Sequence, residues 1–327
     1  MALAIADPSV PFGKTHAEVY VAAAAQMPSK DFTAISQRQP LLMKQPEAFE
    51  NILKYYEIKP GYVLIVKIFH FLGFNLVTST YLPSVVSYFF IGCLLFVWLQ
   101  KIFDVQFAAL ITLVVAASPF LIITARYSSP DMLCAAVSLA ALFLISEVSV
   151  SFGVVLFVFA IPIRPDVVIL YLLTILMLYK SKKFPAKNSW MLGVAGIIVT
   201  LRSLGNILPL QEFFFTTPSY SSSWSAAEML SGYGQGLWGG LNSFVNSQTS
   251  VFIFLATITL YLRTKANYKI TTDFWSLLLI GILATIMVRF LLHPVIEDRF
   301  QITPYLIIII ALCKTISHLT PLKSTLN

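Results

Sequence analysis

The chain has 327 residues, 57% of them hydrophobic and only 11% charged, with a net charge of +7 and a mean hydropathy of +0.80. Soluble domains carry about 25% charged residues, so a soluble domain and a disordered chain are both excluded. Three cysteines inside apolar runs, Cys93, Cys134 and Cys313, exclude a disulfide scaffold, and no Cys/His spacing suggests zinc.

The remaining class is an all-α polytopic membrane protein, because an open sheet leaves its backbone unsatisfied in lipid. In such a protein a positive net charge reflects loop orientation, not nucleic acid.

Residues 1–60 are mixed in character, with six basic side chains balanced by six acidic ones. Met1 to Ala6 is too short for the apolar core of a signal peptide. Short helices are expected over 17–27 and 47–57. The segment Gly61 to Phe74 is apolar but interrupted by Lys67 and His70, which share one helix face. That pattern suits a helix lying at the interface and places residues 1–80 as an extracytoplasmic region with juxtamembrane helices. The alternative is that 61–79 crosses and residues 1–60 are cytoplasmic.

Residues 81–327 form the transmembrane domain. About nine spans are expected: 82–100, 105–124, 130–146, 149–163, 166–180, 189–205, 247–263, 273–292 and 301–318. Arg164-Pro165-Asp166 splits 149–180 into two short helices joined by a turn. Residues 206–246 read as one long outer loop rich in Ser, Gly and aromatics, suited to sugar or acceptor contact or to anchoring at the interface.

The connections then alternate in charge. One set holds Lys101, Lys180, Lys182, Lys183, Lys187, Arg263, Lys265, Lys269, Lys314 and Lys323, nine Lys and one Arg. The positive-inside rule makes it cytoplasmic, with the C-terminus. The opposite set holds Arg126, Arg164, Arg202, Arg289 and Arg299, five of the seven arginines, without Lys. Topology favours neither residue type, whereas the planar guanidinium fork suits phosphate or carboxylate. Local pairing with Asp131, Asp166 and Asp298 is the competing explanation.

Several short motifs together resemble the GT-C superfamily of membrane glycosyltransferases, of the protein O-mannosyltransferase and aminoarabinose-transferase type. The first is Asp7 followed by His16, Glu18 and Tyr20. The second is Tyr55-Tyr56-Glu57-Ile58-Lys59-Pro60-Gly61-Tyr62, followed by Leu72-Gly73-Phe74-Asn75. The third is Ser118-Pro119-Phe120, followed by Arg126-Tyr127-Ser128-Ser129-Pro130-Asp131-Met132. The last is Ile163-Arg164-Pro165-Asp166. The match covers residues 7–185. The family's first transmembrane helix has no counterpart here, and an upstream in-frame apolar stretch is the expected explanation.

The resemblance implies transfer of a sugar from a polyprenyl-phosphate donor to a hydroxyl of a lipid or glycan acceptor, at the outer face of a bacterial plasma membrane. It implies Asp7 or Glu18 as catalytic base. Arg126, Asp131, Arg164, Asp166, Arg289, His293 and Arg299 would line the substrate site. It names no cofactor and leaves a divalent metal open. A transporter or flippase for an anionic or lipid-linked substrate, and a non-enzymatic assembly subunit, are the alternatives from other classes. The topology predicts that Ser222→Cys reacts with a membrane-impermeant thiol reagent in intact cells. Reaction only after permeabilisation rejects it.

Overall fold

The structure, a computed structural model, describes residues 59–183, 186–203, 226–292 and 298–319. Among these there are twelve α-helices, two 3-10 turns and no strand. The first six helices are α1 (Pro60–Phe71), α2 (Leu76–Gln100), α3 (Val105–Ala116), α4 (Pro119–Ala125), α5 (Asp131–Glu147) and α6 (Val150–Ile163). After a 3-10 turn at Pro165–Val167 come α7 (Val168–Lys180), α8 (Ala186–Ser203), α9 (Ala226–Asn246), α10 (Gln248–Lys265) and α11 (Phe274–Leu292). A second turn, Asp298–Gln301, leads into α12 (Ile302–Leu319).

Local chemistry sets the boundaries. The Asn75 carboxamide accepts from Thr78 N at 2.7 Å and the Asp104 carboxylate from Phe107 N at 2.9 Å, so α2 and α3 each start on a side-chain cap. Gly73 turns the chain from α1 into α2 at φ +97, a left-handed conformation open to glycine. Pro119 disfavours helical geometry at the residue before it, and Ser118 is extended. The expected span 105–124 is therefore two helices bent by 62°. The Arg164-Pro165-Asp166 break is seen as the sequence suggests.

Among the described residues three helical stretches are long and apolar enough to cross a membrane, Thr78–Gln100, Phe274–Leu292 and Asp298–Leu319, or up to five if each of two bent pairs is one span. Nine spans are thus more than the structure shows. An apolar count does not register bends, and α6, with 14 residues, reaches only ~21 Å against a ~30 Å hydrocarbon core. Residues 226–246 correct a second expectation. They form the helix α9, where a loop was expected. Its glycines suggested a loop, but tertiary contact holds the helix. Tyr233 donates to the Leu291 carbonyl at 2.5 Å.

The core is organised around α5. It packs most closely against antiparallel α6 and also against α2 and α12. A Cβ on Gly153 would come within 2.6 Å of the Ala141 carbonyl oxygen, so α5 and α6 meet backbone to backbone. Asp131 and Glu147 occupy the two ends of α5. The Asp131 end also holds Arg164, Arg289 and Arg299. The Glu147 end holds Lys314, Lys101 beside Phe143, and Lys183 beside Phe274. Among the described residues, Arg164, Arg289 and Arg299 thus lie at one end of the bundle and Lys101, Lys183 and Lys314 at the other.

Helix α1 stays at the arginine end. Its Tyr62 donates to the Thr80 carbonyl at 2.5 Å, and Thr80 donates to Ser128 just before α5. Leu64, Ile68, Phe71 and Leu72 remain exposed along one face. At 12 residues, ~18 Å, it is too short to cross. Residues 1–58, including the helices expected over 17–27 and 47–57, lie outside the described residues.

Gly153→Ala forces a methyl into backbone and is expected to destabilise by about 1–3 kcal/mol. Gly92→Ala, where a Cβ meets nothing within 4 Å, serves as the tolerated control. Thermal unfolding of the detergent-purified variants checks the contrast.

Candidate functional site

Four elements converge at the arginine end: the start of α5, the Arg164–Asp166 turn, the end of α11 and the Asp298–Gln301 turn. Arg164 occupies the centre and is 8% exposed. Its Nε and Nη2 donate in parallel to the two Asp166 oxygens at 2.8 and 2.7 Å. Its Nη1 donates to Asp131 Oδ1 at 2.5 Å. Arg289 Nη2 lies 3.1 Å from Asp166, and Nη1 donates to the Phe300 carbonyl at 2.9 Å. Arg299 Nε lies 3.8 Å from the second Asp131 oxygen, an ion pair beyond hydrogen-bond range.

One ring holds the three guanidiniums together. Their central carbons lie 4.3 Å (Arg164), 4.2 Å (Arg289) and 4.6 Å (Arg299) from the Phe300 ring centroid. The π cloud attracts each cation and offsets part of their mutual repulsion. Phe300 is presented by a turn that is itself fixed. Asp298 accepts from Tyr305 Oη at 2.7 Å and from Gln248 N and Thr249 Oγ1 at 3.4 Å. Tyr305 in turn stacks on Phe252 with centroids 3.9 Å apart.

Lys59 joins the cluster from the residue before α1. Burial is the largest influence on its amine and pushes its pKa down to about 8. Asp131 and Asp166 oppose that shift, while Arg164 and Arg299 add to it. For Asp166, burial alone would raise the pKa, but Arg164 and Arg289 outweigh it and hold the carboxyl at about 2. Among the described residues Arg164, Arg289 and Arg299 gather with the carboxylates of Asp131 and Asp166, and Asp298 lies in the adjoining turn. They border a cleft enclosing about 450 Å³ with its open mouth, lined also by Cys134, Leu170 and Thr303. Guanidiniums beside an open cleft suit an anionic ligand.

Five of the residues singled out in the sequence, Asp131, Arg164, Asp166, Arg289 and Arg299, are therefore in one place. Arg126 is not among them. It ends α4, exposed, and does not line the cleft. Asp7, Glu18 and His293 lie outside the described residues, as does the side chain of Arg202. The local pairing of Arg164 with Asp166 is real, and its fork is directed at that carboxylate. Sequence reasoning missed Lys59, which reads as one more charge in a balanced segment, and Phe300, whose only signal is its place beside Arg299. No group of three His, Cys, Asp or Glu suited to a metal ion occurs among the described residues. Compared with protein-family models, curated proteins and solved structures, the chain matches none.

Two predictions follow from this geometry. Arg164→Met strands Asp131 in a buried setting and is expected to cost about 3–5 kcal/mol. Adding Asp131→Asn should recover part of this, because Asp166 keeps Arg289. Thermal unfolding of the single and double variants decides. The second concerns pH. Below about 8 the Lys59 amine is charged, and a bound phosphate favours that state. Affinity for an anionic ligand at the cleft should therefore be full below pH 8 and fall as pH rises above it. In Lys59→Arg the decline should disappear, as read by binding titrations between pH 6.5 and 9.5.

Proposed function

We propose that the protein is a membrane glycosyltransferase that takes a sugar from a polyprenyl-phosphate donor and transfers it to an acceptor hydroxyl at the extracytoplasmic face. The observation that carries this reading is the gathering of three guanidiniums, Arg164, Arg289 and Arg299, on the Phe300 ring beside a cleft at one end of an apolar bundle. Lipid phosphate in that position is desolvated on its chain side and needs charge-assisted donors on the other. As the sugar leaves, negative charge grows on the phosphate, and preorganised cations stabilise that charge. Arg289 and Arg299 are the proposed phosphate ligands. Arg164 acts as the positioning residue that holds Asp131 and Asp166 between them.

An acceptor hydroxyl needs a base within hydrogen-bond reach. Asp7 or Glu18 is proposed for that role. The chain enters the described fold at Lys59, inside the cluster, which is the placement this role requires of the preceding segment. The lysine-rich end, with the C-terminus, is proposed to be cytoplasmic, consistent with the charge bias.

A second reading is a transporter for an anionic or lipid-linked substrate. The two bent helix pairs, at 62° and 70°, favour it, because broken helices build transport sites. The distinguishing experiment gives purified protein a polyprenyl-phosphate-linked sugar and a hydroxyl acceptor. Glycosyl transfer is expected, with release of polyprenyl phosphate. Arg299→Gln should reduce it by roughly ten- to a hundredfold, the worth of one charge-assisted hydrogen bond. Movement of intact donor across a liposome bilayer without any transfer would instead support transport.

A further inference from the structure

The end of the bundle opposite the arginines carries a feature that glycosyl transfer does not use. Four aromatic rings pack in a row across three helices. Phe143 of α5 meets Trp98 of α2 with centroids 5.3 Å apart. Trp98 meets Trp275 of α11 at 5.9 Å, and Trp275 meets Phe274 at 5.9 Å. An ammonium group sits over three of the four: Lys101 at 5.8 Å from Phe143, Lys314 at 4.6 Å from Trp275, and Lys183 at 4.4 Å from Phe274. The three lysines come from the end of α2, from α12 and from the turn after α7.

The negative charge here is already engaged. Glu147 accepts from Lys314 at 2.5 Å, and from Trp98 Nε1 and Ser146. Asp273 is held by Arg263 at 2.6 Å and by Ser276. Among the described residues Lys101 and Lys183 form no ion pair, and both are exposed. Partial burial, and then the neighbouring Lys314, lower the pKa of Lys183. A ring under an ammonium covers one side of it and leaves its other protons directed outward.

The position selects the anion. Trp98 lies near the end of α2 and Trp275 near the start of α11, two of the helices long and apolar enough to cross a membrane. Trp98 itself is fully buried, so the depth is read from the span end, where the exposed Lys101 directly follows α2. Val97, one helical turn before Lys101 on α2, is an exposed apolar side chain. The anion that resides at that depth beside apolar chains is a lipid phosphodiester.

We propose that the Lys101–Lys183–Lys314 aromatic strip is a docking surface for the headgroup of an anionic membrane phospholipid. Juxtamembrane lysines near an anionic leaflet each strengthen binding about fivefold, and the row of rings fixes where these three act. This inference is independent of the glycosyltransferase reading and stands or falls apart from it.

The test uses the full-length protein in detergent with dioleoyl phosphatidylglycerol or phosphatidylcholine, and native mass spectrometry reads retained lipid. Phosphatidylglycerol should be retained over phosphatidylcholine. Lys101→Gln with Lys183→Gln should weaken that retention roughly tenfold or more. Lys101→Arg with Lys183→Arg should preserve it. Lys180→Gln with Lys182→Gln, on the same end but off the strip, should change it little. Equal loss in both Gln pairs would mean diffuse surface charge and overturn the proposal. Unchanged retention in the strip variant would also overturn it. So would displacement of the lipid by millimolar inorganic phosphate, which would identify a free-anion site.

Discussion

Arg164 holds together what the rest of this structure needs at one end. A guanidinium that is 8% exposed at the edge of an apolar bundle is stable only when its donors are matched by acceptors. Here the acceptors are two carboxylates on different elements, Asp131 at the start of α5 and Asp166 in the turn before α7. Asp131, buried as it is, would not be tolerated at that depth alone. The pairing of both carboxylates with Arg164 fixes the central helix relative to the α6–α7 turn. It also lets Arg289 and Arg299 approach a centre that would otherwise repel them.

The cluster is layered from that pairing outward. Arg289 adds to Asp166, Arg299 lies near Asp131, and the Phe300 ring lies against all three guanidiniums. The ring is held by a turn that Asp298 ties to the start of α10 and to Tyr305. The chain of support therefore runs from an apolar stack, Tyr305 on Phe252, through a capped turn, to the cations beside the cleft. Arg164 has little capacity left for a ligand. The charge offered to a ligand comes from the groups around it.

The opposite end solves the same problem with lysine. Glu147 closes α5 with Lys314 and Trp98, and Arg263, 2% exposed, joins α10, α11 and α12 through Asp273, Ser276 and Thr315. One helix thus carries a paired carboxylate at each end. The chemistry differs between the ends: guanidiniums crowd a cleft at one, and ammonium groups ride on rings at the other.

Much of this was legible in the sequence. Low charge and high hydropathy determine a helical bundle, because only internally bonded backbone tolerates an apolar setting. Pro165 and its charged neighbours locate the central turn by local sterics. The separation of Arg from Lys brought Arg164, Arg289 and Arg299 into view, and sequence proximity brought Asp131 and Asp166. Tertiary structure alone decided the rest. That Arg164 pairs with Asp131 as well as Asp166 is a contact across 33 residues. That Lys59 and Phe300 belong to the cluster is equally non-local. That α9 lies against α10 and reaches the Leu291 carbonyl through Tyr233 is likewise a tertiary contact. The bend at Ser118-Pro119 and the short reach of α6 separate apolar composition from span length. Composition and local sterics act within a few residues, so a sequence displays them directly. Burial, charge pairing and ring contacts depend on which distant segments meet, and that is settled only when the helices pack.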